Sequence, residues 1–180
     1  DLFAEPYWAR QFGNDVSNVT CSVYPRSIAV DGNGNVYTTG TFNGGSVDFD
    51  PGAGVTNLVQ TYVQRQAAFV SKLNSSGELV RAYRIGSENV PGTLYDGGHL
   101  GEAKTYSVAA DGAGNVYVVG TFWGSTSFQH GAGVTTLNSS RSEQSKPDTF
   151  ILKLNSSGEQ VWLRQIEAPT GNIYMTPISV

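Results

Sequence analysis

Apolar and β-branched residues run along this chain in short blocks, separated by clusters of Gly, Asn, Asp and Ser. The block around Ser27-Ile-Ala-Val30 predicts one strand, and Asn35 to Phe42 predicts a second. Between them lies Asp31-Gly-Asn-Gly-Asn35, a turn made of residues that tolerate positive φ. A third strand is predicted over 67–73, with Phe69, Val70 and Leu73, and a fourth over 78–85, joined by Asn74-Ser-Ser-Gly77. The runs Val36-Tyr37 and Val116-Tyr-Val-Val119 do not alternate cleanly, which suits strands covered on both faces. Gly40 and Gly120 interrupt the second strand of each set, where a neighbouring backbone can approach closely.

The pattern occurs twice. Residues 27–42, Ser-Ile-Ala-Val-Asp-Gly-Asn-Gly-Asn-Val-Tyr-Thr-Thr-Gly-Thr-Phe, reappear 80 positions later as Ser-Val-Ala-Ala-Asp-Gly-Ala-Gly-Asn-Val-Tyr-Val-Val-Gly-Thr-Phe, identical at eleven of 16 positions. Gly52-Ala-Gly-Val55 matches Gly131-Ala-Gly-Val134, and Lys72-Leu-Asn-Ser-Ser-Gly-Glu78 matches Lys153 to Glu159 without a difference. Four antiparallel strands repeated at this period are the signature of β-propeller blades. A stacked solenoid is the rival, although its repeats are usually shorter, under about 50 residues. The predicted fold class is all-β. Blades are expected over 27–86 and 107–166, with a leading outer strand in 1–13 and a trailing inner strand in 171–180. Glu5-Pro-Tyr-Trp8-Ala-Arg10-Gln-Phe12 aligns with Glu159-Gln-Val-Trp162-Leu-Arg164-Gln-Ile166, and Ile178-Ser-Val180 with Ile28-Ala-Val30. Propellers close with about four to eight blades, so further blades or identical chains are expected as partners.

These motifs resemble the bacterial β-propeller repeat family called SBBP. The resemblance is carried by Trp8 and Trp162, Ala29 to Gly40, Ala109 to Gly120, Phe69 to Gly77 and Phe150 to Gly158. It implies exported or surface proteins of bacteria, and it supplies no catalytic residues. The first complete copy departs from the pattern with Arg81 where the second has Trp162, which bears on the packing of that strand and not on the fold.

Composition narrows the functions. Charged residues are 14% and net charge is −4, with the 11 basic residues scattered from Arg10 to Arg164. No phosphate-tracking surface is expected, and so no nucleic-acid partner. No apolar run approaches the roughly 20 residues of a membrane span, so membrane insertion is not expected. The one cysteine, Cys21, has no partner for an internal disulfide and reads as a small hydrophobe. Neither a Gly-x-Ser-x-Gly elbow nor a phosphate-binding Gly-x-x-x-x-Gly-Lys loop is present.

In a propeller the second-to-third and fourth-to-first strand connections share one face, as the resemblance implies. Those connections differ between the copies, at about 43–66 against 123–147 and at about 13–26, 86–106 and 167–177, while the tight turns of the other face are nearly the same. The variable face therefore holds the binding candidates: Asp48, Asp50, Tyr95, Asp96, His99, Glu102, Trp123 and His130. Asp48-Phe-Asp50 offers two carboxylates for a cation or for capping a turn; the second copy has Ser127-Phe-Gln129. Asp31-Gly-Asn33-Gly-Asn35 resembles half a calcium loop, but the second copy has Ala113 in the middle and no Glu stands at the twelfth position. No cofactor or zinc site is expected, with calcium as the one alternative. The three functional readings are a non-catalytic structural or protein-interaction module, a glycan-binding propeller, and a hydrolase or lyase, in that order.

Overall fold

The computed structural model describes residues 8–13, 21–60, 65–86, 101–130, 133–140 and 147–167, except the side chain of His130. The expected trailing strand at 171–180, residues 1–7 of the leading one, and Tyr95, Asp96 and His99 lie outside the described residues. Twelve strands are present and no helix, among the described residues. They are β1 (Ser22–Val30), β2 (Val36–Asn43), β3 (Gly45–Asp48), β4 (Asn57–Gln60), β5 (Ala67–Leu73) and β6 (Leu79–Ile85) in the first copy. The second copy contributes β7 (Ala103–Ala110), β8 (Val116–Phe122), β9 (Ser125–His130), β10 (Gly133–Asn138), β11 (Asp148–Leu154) and β12 (Gln160–Ile166).

Each copy forms the same antiparallel meander, β1-β2-β5-β6 and β7-β8-β11-β12. The sequence places the four principal strands, with two differences. The first strand of each copy begins earlier than expected, at Ser22 and Ala103. Each second-to-third connection, read as a loop, contains a hairpin, β3–β4 or β9–β10. These hairpins were hidden because their short runs of Ser, Thr and Asn alternate only weakly with apolar residues.

Gly40 and Gly120 each face a β-bulge. The register of β1 shifts between Pro25 and Ser27 opposite Gly40, and that of β7 between Thr105 and Ser107 opposite Gly120. A Cβ on Gly40 would collide with the Tyr24 carbonyl oxygen and lie 2.8 Å from the Phe69 ring. One on Gly120 would meet the Lys104 carbonyl oxygen and lie 2.6 Å from the ring of Phe150. The bulged strand and the crossing phenylalanine fill the space a side chain would need.

Through the pairing of Ile85 with Phe128 the β9–β10 hairpin of the second copy extends the first sheet to β1-β2-β5-β6-β9-β10, and the sheet β7-β8-β11-β12 packs across it, with β7 crossing β1 and β2. Tyr37, Val70, Tyr83 and Ile85 of the first sheet join Val108, Val116, Phe128, Leu152 and Leu154 of the second copy in one core. Polar bonds cross the same junction. The Tyr83 hydroxyl donates to the Gly158 carbonyl at 2.5 Å, Lys72 Nζ to Ser156 O at 2.7 Å, and Thr105 Oγ1 to Gly40 O at 2.9 Å. Arg81, at the position of Trp162, lies over the Tyr83 ring at 5.6 Å and donates to its hydroxyl at 3.1 Å. The departure from the repeat pattern thus supports the junction by another route.

Residues 8–13 lie against the first copy much as β6 lies against the second, although they carry no strand pairing. Trp8 Nε1 donates to Ser75 O at 3.0 Å, and Arg10 Nε to Gly77 O at 2.9 Å. Gly77 is the counterpart of Gly158, so Arg10 makes the bond that Tyr83 makes one copy later. Gly13 N donates to Asp48 O at 2.8 Å, as Gly86 N does to Ser127 O at 2.9 Å.

Gly40→Ala and Gly120→Ala are each expected to cost about 2–3 kcal/mol or more, from overpacking against backbone that cannot retreat. Tyr83→Phe should cost about 1–2 kcal/mol by leaving the Gly158 carbonyl without its donor. Urea unfolding of each variant beside the parent measures both effects. Parental midpoints for the glycine variants would refute the close-approach account.

Candidate functional site

The tight turns of one edge consume their own polar groups. Asp31 Oδ1 accepts the N–H of Asn33 and Asn35 at 2.9 and 3.0 Å, and its Oδ2 accepts Asn35 Nδ2 at 2.8 Å and the Tyr37 hydroxyl at 3.0 Å. Asp111 repeats the arrangement with Ala113, Asn115 and Tyr117. The loss of Asn33 in the second copy therefore costs the turn nothing, because only the backbone N–H at that position is used. Burial alone would push the Asp31 carboxyl up, but the bonds from Asn35, Asn33 and Tyr37 outweigh it and hold it below the usual value. Asp111 is held low chiefly by the Asn115 side chain. Burial, then the Asp31 carboxylate, pushes the Tyr37 phenol well above its ordinary range. A cation at either turn would have to compete with donors already in place.

Asn74-Ser-Ser and Asn155-Ser-Ser are turn chemistry of the same kind. Asn74 Oδ1 accepts Ser76 N and Glu78 N at 3.0 and 2.9 Å, while its Nδ2 donates to Glu78 Oε2 at 2.7 Å. Asn155 and Glu159 pair likewise at 2.9 Å. Gly77 and Gly158 close these turns at φ 77° and 79°. The carbonyls left pointing outward are those the neighbouring outer strand takes.

At the opposite edge the hairpins carry the remaining candidates. Asp48 is buried; its Oδ1 accepts Asp50 N at 2.9 Å and Thr56 N at 2.8 Å, and Asp50 Oδ1 accepts Gly52 N at 2.8 Å. This pair caps the long connection 49–56 between β3 and β4. In the second copy only 131–132 separate β9 from β10, so Ser127 and Gln129 suffice there. The structure brings Glu102 and Trp123 together through backbone: Trp123 N donates to Glu102 O at 3.0 Å, and Gly101 N to Trp123 O at 2.8 Å. Both are buried, Trp123 with 9% of its surface exposed and Lys104 Nζ 5.2 Å from its ring centroid. Trp123 is a packing residue at the hairpin root and offers no free ring for stacking a sugar.

The hairpins are held by aromatic clusters. Phe49 packs at 4.7 Å from Phe69, 5.8 Å from Phe42 and 5.5 Å from Phe12. Phe128 sits 4.9 Å from Phe150 and 6.0 Å from Phe122. A groove of about 500 Å³ opens beside the first cluster, lined by Gln11, Phe12, Gly13, Cys21, Val23, Ser46 and Val47. Cys21 is half-buried and its thiol donates to Gly44 O at 2.9 Å. Among the described residues no group of three or more His, Cys, Asp or Glu is arranged to hold a metal ion.

Residues 8–45 match the β-propeller repeat family, SBBP. The match begins at Trp8, takes in residues 8–13 and covers β1 and β2. No curated protein and no solved structure matches the chain. The sequence pattern puts Tyr37 in a strand covered on both faces but gives no polar role to it, to Lys72 or to Tyr83, all of which bond across the junction between copies. Tyr37 and Lys72 recur as Tyr117 and Lys153, which is the signal that could have singled them out.

The lowered Asp31 carboxyl has a definite sign in solution. A carboxyl depressed on folding adds stability that is complete above its unfolded value, near the ordinary 3.8, and that is lost as pH falls through the folded value. The urea midpoint of the parent should therefore fall as pH drops below about 3.8, and Asp31→Asn should flatten that fall while lowering the midpoint at pH 7. An unchanged pH dependence in Asp31→Asn would refute the turn-staple role.

Proposed function

We propose that this chain is a non-catalytic structural or protein-interaction module, and that its sheets β1-β2-β5-β6 and β7-β8-β11-β12 are consecutive blades of a β-propeller. In this reading residues 8–13 are the outer strand of a preceding blade, and further blades or identical chains are the partners. The observation that carries it is the recurrence of one junction. Arg10 meets Gly77 and Tyr83 meets Gly158 in the same way, and Gly13 and Gly86 dock on the two hairpins alike. An exported, cell-surface setting in a bacterium rests on the resemblance of the repeats alone.

Two features favour binding over catalysis. Among the described residues the displaced carboxyls, Asp31 and Asp111, are displaced downward, whereas a general acid needs a raised one. The acidic pair Asp48 and Asp50 spends its near oxygens on backbone of its own hairpin. The glycan-binding reading needs an open aromatic ring beside carboxylates, and buried Trp123 does not supply it.

The test is a turnover panel of glycosides, polyuronates, esters and peptides, run beside an immobilised glycan array. The expected result is no turnover above buffer and no glycan retained. Turnover that disappears in Asp48→Asn or Asp50→Asn would overturn the proposal in favour of an enzyme. Glycan retention lost with the same substitutions would favour the lectin reading.

A further inference from the structure

The dipeptide Asn-Gly occurs twice in the chain, at Asn33-Gly34 and Asn43-Gly44, and both stand in the first copy. The second copy has Ala113-Gly114 and Trp123-Gly124 at the same places. Asparagine is a thermolabile residue, and a glycine after it has no side chain to keep its nitrogen away from the amide carbon. The reaction needs water alone. The glycine nitrogen attacks the asparagine Cγ, an N–C bond forms and ammonia leaves. Water then opens the succinimide to aspartate or isoaspartate.

The structure treats the two sites differently. Asn33 is exposed, and its turn uses its backbone N–H but not its amide side chain. Ala113 leaves the matching turn intact, so the fold does not require an amide at this position. One contact restrains the reaction: Gly34 N, the attacking atom, donates to Asp31 O at 3.0 Å. Asn43 ends β2 in register with Ser22, and the carbonyl of buried Gly44 accepts the Cys21 thiol at 2.9 Å. Attack at Asn33 therefore needs one turn to open, whereas attack at Asn43 needs the end of the β1–β2 ladder to part.

The product does not suit the turn. Either form puts a second carboxylate beside that of Asp31, and like charges repel. Isoaspartate also lengthens the main chain by one carbon, so the N–H groups of Asn33 and Asn35 no longer both reach Asp31 Oδ1. This turn adjoins the second copy. A Cβ on Gly32 would lie 3.3 Å from Gly112 O, and Tyr37, held by Asp31 Oδ2 at 3.0 Å, reaches Gly114 O at 3.4 Å.

We infer that Asn33 is a self-modification site. A succinimide forms between Asn33 Cγ and Gly34 N at a rate set by opening of the Asp31 turn, and its hydrolysis loosens the junction between the copies. The reaction needs no partner and holds whatever the chain binds.

The experiment is incubation of the full chain in mildly alkaline buffer, with peptide mass spectrometry to read conversion at each asparagine. Conversion at Asn33 should run roughly tenfold faster than at Asn43 in the folded chain, and the two should agree within about twofold in urea. Asp31→Ala should speed Asn33 several-fold and leave Asn43 unchanged. A variant that speeds both has unfolded; Tyr37→Phe, which removes one bond to Asp31, then takes its place, with roughly a twofold rise at Asn33 alone. The converted chain should unfold at lower urea than the fresh one, whereas Asn33→Ala should keep its midpoint through the same incubation. Equal conversion at Asn33 and Asn43 in the folded chain overturns the inference. So does an Asn33 rate indifferent to the turn variants, or a converted chain that keeps its midpoint.

Discussion

The face of the first sheet that carries Tyr37, Val70 and Tyr83 is apolar, and it is dry because the sheet β7-β8-β11-β12 lies on it. A sheet with apolar residues on both faces cannot be stable alone, since each large side chain left in water forgoes about 1.5–3 kcal/mol. Stability in such a chain is a property of junctions, as in other repeat architectures. The strands themselves supply hydrogen bonds and register; the neighbour supplies the reason for them to stay folded.

Polar groups then fix how the neighbour sits. Hydrophobic contact alone would let one sheet slide over the next. The carbonyls of Gly77 and Gly158 stand at the same place in two turns, one accepting a bond from Arg10 and the other from Tyr83 of β6. Arg10 and Tyr83 reach the same kind of acceptor with unlike side chains. What the junction requires is a donor at that height, and a guanidinium or a phenol provides it. The Asp31 and Asp111 staples matter for the same reason. They hold turns whose outward geometry is read by the next copy: Tyr37, anchored on Asp31, also reaches Gly114 O at 3.4 Å.

The meander was legible because its determinants are local. Asp-Gly-x-Gly-Asn and Asn-Ser-Ser-Gly-Glu are complete turns, and the blocks between them match in length. Gly40 and Gly120 announced a close approach, and the bulges opposite them supply it. The hairpins were not legible, because what makes them is distant in sequence: Phe49 and Phe128 find Phe69 and Phe150 only after the third strand returns. For the candidate site, residue type does not decide where packing does: Trp123 and Glu102 are candidates by type, and both are enclosed at a hairpin root. The polar roles of Tyr37, Lys72 and Tyr83 were not legible, because only the third dimension brings a strand's hydroxyl or ammonium group to a neighbouring turn.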